Sequence, residues 1–188
     1  MKNLLTCICG LLFCAGLMAQ KDFDKETLRI LPQSELVIVG STNVNKFDCR
    51  FDIDHISNKR SVKYSSENDC LIFPDLKLEL ITNGFDCGNR RMNEDFQDLL
   101  KSDQYPEIKI KIDQVKLMTS EYVKAFITVE LAGKKNHYSL PVNIGEGSFK
   151  GKFRMNIRDF ALEPPTKAFG LIEVDEEIEV QFNLFIER

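Results

Sequence analysis

From residue 35 onward, hydrophobic and polar positions alternate, and the alternation returns segment after segment. The stretch YPEIKIKID (105–113) is the sharpest case, with Ile108, Ile110 and Ile112 on one side and Glu107, Lys109, Lys111 and Asp113 on the other. Side chains of a strand point to opposite faces in turn, so this segment borders an oily interior and water. Phe47, Cys49, Phe51 and Ile53 make a second stripe, and Leu76, Leu78 and Leu80 a third. Val123, Ala125, Ile127, Val129 and Leu131 make a fourth, with Phe126 as an apolar exception on its polar side. Three more stripes follow: Tyr138, Leu140, Val142 and Ile144; Phe149, Phe153, Met155 and Ile157; and Ile178, Val180, Phe182, Leu184 and Ile186. With a strand near Leu36 the pattern predicts eight strands, and a short ninth around Val62 and Tyr64 is weaker.

The interruptions are turn chemistry. Ala132-Gly133-Lys134-Lys135, Gly145-Glu146-Gly147-Ser148 and Pro164-Pro165 break the alternation where hairpins or loops belong, and short connections imply antiparallel neighbours. One segment has helical spacing instead: in RMNEDFQDLLKS, Met92, Phe96, Leu99 and Leu100 share a face, Asn93 can cap the first turn, and Pro106 stops the run. The expectation is an all-β domain with one short helix at about residues 92–102. Eight one-sided antiparallel strands bury their apolar faces as two stacked sheets or as a barrel, and a barrel of eight either fills itself or holds one small ligand. Periodicity does not separate these.

Length and charge narrow the class. The 188 residues, 43% of them hydrophobic, suit one domain. The N-terminus MKNLLTCICGLLFCAGLMAQ sets Lys2 before an apolar run from Leu4 to Leu17 and then small or polar residues, as in a secretory signal peptide cleaved after Ala19. The run is shorter than the roughly 20 apolar residues of a membrane span, and bulky Phe13 argues against acylation at Cys14. This assigns 1–19 to the signal and 20–188 to an exported, periplasmic domain with no stable membrane insertion. Cys49, Cys70 and Cys87 remain in it, enough for one disulfide and one free thiol. A formal charge of −4 suits neither nucleic acid nor an anionic membrane surface.

Catalytic constellations are thin. His55 and His137 stand far apart, without HExxH, GxSxG or cysteines at metal spacing, so no catalytic residue and no metal site is assigned and the chain is not read as an enzyme. His55, beside Asp52 and Asp54, reads as a solvated loop residue. GEGSFKG joins two strands with no helix following it and reads as a hairpin, while VDEEIEV reads as a solvated face.

The run FDCGNRRMNEDFQDLLKSDQYPEIKIKI (85–112) leads a methionine-bearing helix through Tyr-Pro-x-Ile into a strand. GKFRMNIRDFALEPPTKAFGLIEVDEEIEVQFNL (151–184) carries Asp159-Phe160, then Gly170 and Val174 before the last strand, and STNVNKFDCRF (41–51) opens the pattern. In these segments and their order, over roughly residues 34–188, the chain resembles the YceI-like lipid- and polyisoprenoid-binding family. The resemblance implies a lipocalin-like antiparallel barrel in the periplasm, with an elongated cavity for an isoprenoid chain. It also favours Cys49 with Cys87 as the bridge, because both fall inside family-like motifs and Cys70 does not. Two departures bear on headgroup recognition: Ser41-Thr42-Asn43-Val44-Asn45 replaces a commoner histidine-containing opening, and Gly133-Lys134-Lys135 replaces a Gly-Val-Thr-Lys turn.

The expected function is non-covalent binding, storage or transport of a long apolar lipid, a polyisoprenoid or isoprenoid quinone, with no further cofactor. Such a chain needs a deep apolar tube and few polar contacts. The candidate lining is Phe51, Ile110, Ile127, Val129, Phe153, Met155, Phe182 and Leu184, each of which serves equally well as ordinary core. The alternative is a filled barrel acting as an envelope interaction module. Oligomeric state is left open, a homodimer included.

Overall fold

The computed structural model describes residues 23–167 and 171–188, so the expected signal segment 1–19 and Gly170 of the closing motif lie outside the described residues. The alternating segments become strands β1 (Asp24–Ile30), β2 (Glu35–Ser41), β3 (Lys46–Phe51), β4 (Lys59–Glu67), β5 (Cys70–Ile72), β6 (Lys77–Ile81) and β7 (Phe85–Asp86). After helix α1 (Arg90–Leu99) come β8 (Glu107–Leu117), β9 (Tyr122–Leu131), β10 (Lys134–Gly145) and β11 (Ser148–Asn156). A small hairpin, β12 (Thr166–Lys167) and β13 (Ile172–Glu173), precedes β14 (Glu177–Glu187). Eight of these form an antiparallel ring in the order β1-β4-β5-β8-β9-β10-β11-β14, and β14 closes it by pairing back to β1 through Arg29 with Glu187 and Ile30 with Ile186. The fold is an eight-stranded antiparallel barrel.

Three walls of this barrel are interrupted strands. On its other edge β14 pairs β2 through residues 179–183 before it reaches β1, so β1 and β2 are two halves of one wall broken at residues 31–34. The Leu31 N–H still reaches Phe185 O (2.8 Å) across that break. Similarly, β8 pairs β6 along 107–111 and β5 along 114–116. β3 and β4 flank β2 and β1 in the same way, joined by a 3-10 turn, Ile53–His55.

The number of barrel strands agrees with the pattern, but their identities differ in part. β1 lacks alternation because its charged stretch DKETLRI contributes backbone bonds to β4 and no fully buried side chain. The weak segment around Val62 and Tyr64 is a full ring member, β4, with Val62 buried. The helix begins earlier than residue 92 and stops at Leu99. Its cap is Asn89, whose side chain accepts from Met92 N (3.0 Å), while Asn93 turns back to accept from Cys87 N (2.6 Å) and to donate to Asp86. Asn93, the fourth residue of the helix, still finds an orphan N–H, here on the incoming chain rather than in its own first turn.

The inward faces make one core, which includes Ile108, Val123, Ala125, Ile127, Val129, Leu140 and Val180, with Ile110 and Ile112 packed against it half-buried. Cys49 and Cys87 are joined by a disulfide, Cα to Cα 4.0 Å, and Cys70 is a free, half-buried thiol. Register explains the pairing: Arg50 faces Asp86 and Phe51 faces Phe85, so Cys49 and Cys87 are the next opposed pair along the ladder. The bridge staples β7 to β3, a ladder of only two residue pairs. Closing a 38-residue separation constrains the unfolded chain by about 4 kcal/mol in the chain-entropy account. Replacing both cysteines by alanine is expected to lower stability by about 3 to 4 kcal/mol in guanidinium unfolding; a loss below about 1 kcal/mol would show that the ladder holds β7 unaided.

Candidate functional site

Helix α1 lies across one end of the barrel. Its Met92, Phe96 and Leu99 face the core half-buried, and Leu100, just past its end, is buried. The Phe96 ring meets Phe85 in a tilted contact at 5.3 Å, and Phe85 in turn meets Phe51 at 5.0 Å, so a chain of three rings ties the helix to β7 and β3. Beneath α1 lies an apolar cavity of about 60 Å³. Leu36 and Ile38 of β2, Ile108 and Ile110 of β8, Val129 and Leu131 of β9 and Phe153 and Met155 of β11 form its wall. Ile178 and Val180 of β14 complete the ring side, and Phe96, Leu99 and Leu100 form the roof. Among the described residues, Asp175 is the one ionisable residue on the lining.

Four of the eight residues expected on the lining meet there: Ile110, Val129, Phe153 and Met155. The other four are off this wall. Phe51 packs on Phe85 and near His55. Ile127 sits two residues from Val129 along β9 and belongs to the buried core further from the helix. Phe182 lies over Gly151, directly opposite on β11, and Leu184 faces Phe149 one step beyond. Alternation gives the correct face but no position along the barrel axis, so it separates inside from outside and not cavity from packed end. Phe96 and Leu99 were readable as the apolar face of a helix. Leu36, Ile38, Phe47 and Val180 were readable only as core.

Phe47, Val174 and Asp175 bound the cavity beside the turn between β2 and β3, which is docked on residues 171–175. Asn43 makes three bonds to that segment: N–H to Glu173 O (3.1 Å), Nδ2 to Leu171 O (3.0 Å), and Oδ1 from Glu173 N (3.2 Å). Thr42 Oγ1 holds the turn itself, accepting from Val44 N and Asn45 N (3.2 and 3.0 Å). Just inside, the Phe47 ring lies over Gly40, its cross-strand partner, so closely that a Cβ at Gly40 would stand 2.4 Å from it. Glycine lets the ring lie flat against the wall. Gly40→Val is expected to force the ring off the wall and destabilise the protein by about 1 to 3 kcal/mol. In a Phe47→Ala background the same substitution should cost clearly less, and additive costs in the double-mutant cycle would count against this contact.

Behind Phe153 the aromatic layer continues into Tyr138, 5.5 Å away, which also stacks on Phe160. The Tyr138 hydroxyl donates to Asp159 Oδ2 at 3.5 Å. Burial, and then the Asp159 carboxylate, push the phenol up to about 12. Because the raised pKa belongs to the folded state, the neutral phenol favours folding. That contribution is whole below the ordinary tyrosine value of about 10 and is lost as pH rises through the folded value. Tyrosinate absorbance should therefore show one group titrating late, and melting temperature should fall above about pH 10 less steeply in Tyr138→Phe than in wild type. Equal slopes would discount Tyr138.

Among the described residues, no group of three or more His, Cys, Asp and Glu is placed to hold a metal ion, and no helix is long and apolar enough to cross a membrane. The site is a closed antiparallel barrel with an apolar cavity under a helical roof, the architecture of a lipocalin-like binding barrel. The YceI-like domain model matches residues 33–186, and the chain belongs to that family. No curated protein matches the chain significantly. Among solved structures it is similar to BcnA of Burkholderia cenocepacia, with TM-score 0.61 and 16% identity over 82% of this chain and 96% of that one. It is also similar to a polyisoprenoid binding domain from Saccharophagus degradans implicated in plant cell wall breakdown, with TM-score 0.56 and 15% identity over 85% and 97%. The Campylobacter jejuni YCEI protein aligns with TM-score 0.54 and 16% identity over 68% and 80%. At these identities the likeness speaks for the fold.

Proposed function

We propose that this protein is a periplasmic carrier or store for a long apolar lipid, a polyisoprenoid or isoprenoid quinone, held without covalent chemistry. The observation that carries the reading is the cavity: apolar from wall to roof, set under helix α1, with Asp175 the single ionisable residue of its lining among the described residues. Family membership and the likeness to a polyisoprenoid binding domain support the same reading. Export is supported by the signal-like N-terminus and by a disulfide, which persists in oxidising compartments.

The volume sets a condition on this function. About 60 Å³ is far below the roughly 300 to 1,000 Å³ of ordinary ligand pockets, so loading requires half-buried wall and roof side chains, Phe47, Phe96, Leu99, Phe153 and Ile178, to move aside. The same small volume favours a second reading, a filled barrel that works through its outer surface as an interaction module of the envelope. Protein purified from its native envelope without detergent is expected to release an isoprenoid on organic extraction, identified by mass spectrometry. Ile110→Trp, which puts an indole into the cavity, should fold and come out empty. Repeated extraction of no lipid from wild type, or a full lipid complement in Ile110→Trp, would favour the filled barrel or a different binding face respectively.

A further inference from the structure

Ile178 and Val180 line the cavity from β14, so alternation carries Phe182, Leu184 and Ile186 down the same inner face toward the end away from the helix. On β11, Phe153 and Met155 line it, and Gly151 and Phe149 continue that face. Phe182 opposes Gly151 on one side and Leu36, a lining residue, on the other. Its ring lies on the bare backbone of Gly151, where a Cβ would stand 2.6 Å from Phe182 Cζ. The cavity thus reaches Leu36 and stops short of the ring opposite it. Ile127 of β9 and Leu140 of β10, inward residues that are also off the lining, are buried. Phe182 is only half-buried, as are Phe149, Leu184, Ile186 and Ile30 beyond it, with Phe149 facing Leu184 and Ile30 facing Ile186. The interior below the cavity is therefore closed by packed side chains on the β9–β10 side and, on the β14 side, by one ring whose further neighbours are loosely covered.

We propose that Phe182 is the floor of the cavity and sets the length of apolar chain that it holds. Each methylene taken from water into an apolar wall adds favourable transfer free energy, so affinity climbs with every isoprene unit that finds wall to cover it. The climb stops where the next unit meets the ring, because covering that unit requires the ring to leave Gly151 first. Ile127 and Leu140 are held on all sides and do not yield in this way, whereas a half-buried ring on a glycine is the part of the floor that a side-chain change can open. The inference rests on the carrier reading and adds to it the residue that limits the cargo's length.

The test uses the delipidated, purified protein and a series of linear prenols that differ by one isoprene unit, delivered from cyclodextrin and competed against a radiolabelled short member. In wild type the dissociation constant is expected to fall with each added unit up to one length and then level off. Phe182→Ala should move that break to longer chains, raising the preference for a prenol just beyond the wild-type break over one at it by about tenfold. Phe182→Leu, which keeps most of the apolar volume and serves where the alanine variant fails to fold, should raise it by about threefold. Leu184→Ala, one inward step further along β14, should leave the break in place. Each preference is a ratio within one protein, so a uniform loss of stability cancels from it. A wild-type series without a break overturns the inference, as does a break at the same length in the Phe182 variants. A break that Leu184→Ala moves as far as Phe182→Ala does overturns the choice of Phe182. Binding of no prenol at any length overturns the carrier reading itself, and this inference with it, so the two failures are told apart.

Discussion

Closure of the ring is the constraint on which the rest of this structure depends. A sheet with one apolar face and free edges offers unpaired N–H and C=O groups to any other strand, and only a closed ring removes them. Here the closing seam is short: β1 and β14 share two paired positions, Arg29 with Glu187 and Ile30 with Ile186, extended by Leu31 N–H to Phe185 O. The seam holds because β14 is long enough to serve two partners. Its residues 179–183 pair β2 before its end reaches β1, so the break at 31–34 costs the wall a bend and not its continuity. Ser34 bridges that bend, accepting from Phe185 N (2.9 Å) and donating back to Phe185 O (3.3 Å). A bend with its polar atoms satisfied by the neighbouring strand is stable where an unsatisfied one would not be.

The walls are weakest where β3 and β7 meet β6. β7 gives β3 two ladder positions, and β6 pairs only β8, so this side of the barrel is held by side chains more than by ladder. Asp52 N to Gly84 O (2.9 Å) and Arg60 Nη1 to Lys77 O (3.0 Å) span the gap, the disulfide closes one end of it, and Phe51, Phe85 and Phe96 pack beside it. Gly84 fits this crowded place because a Cβ there would meet the Phe51 ring at 2.9 Å. The helix is therefore fixed to a part of the wall with few main-chain bonds.

What was legible in the sequence follows from the same physics. The two-residue period of Ile108, Ile110 and Ile112 or of Val123 to Leu131 reads directly as inside and outside, because burial on one face imposes it. β1 was not legible because a strand that pairs mainly through its backbone needs no stripe. The helix was legible through Met92, Phe96 and Leu99, but its cap was not, since Asn89 and Asn93 are chemically the same and only the path of the chain decides between them. The cavity was half legible. Ile110, Val129, Phe153 and Met155 line it, while Phe182 and Leu184 share their face and sit nearer the other end. Height along a barrel axis is set by stagger between strands, and one strand's pattern carries no information about stagger.

Access to a cavity this small turns on which of its boundaries yields at least cost. The ring side is held by continuous antiparallel ladders such as β8 with β9 and β11 with β14, and parting either would strand a row of backbone groups. The roof is different. α1 satisfies its own main chain, has no fully buried residue within its span, and rests on the barrel through Met92, Phe96 and Leu99. Moving it exposes apolar side chains at about 25 cal/mol per Å², and the tilted Phe85–Phe96 ring contact adds about 0.5 to 1.5 kcal/mol beyond area. An apolar chain entering beneath the helix would re-cover much of that surface, so the net cost of opening falls as the cargo goes in. The helix and the turn beside Val174 and Asp175 bound the same cavity, so a shift of the helix opens onto apolar wall that reaches as far as that turn.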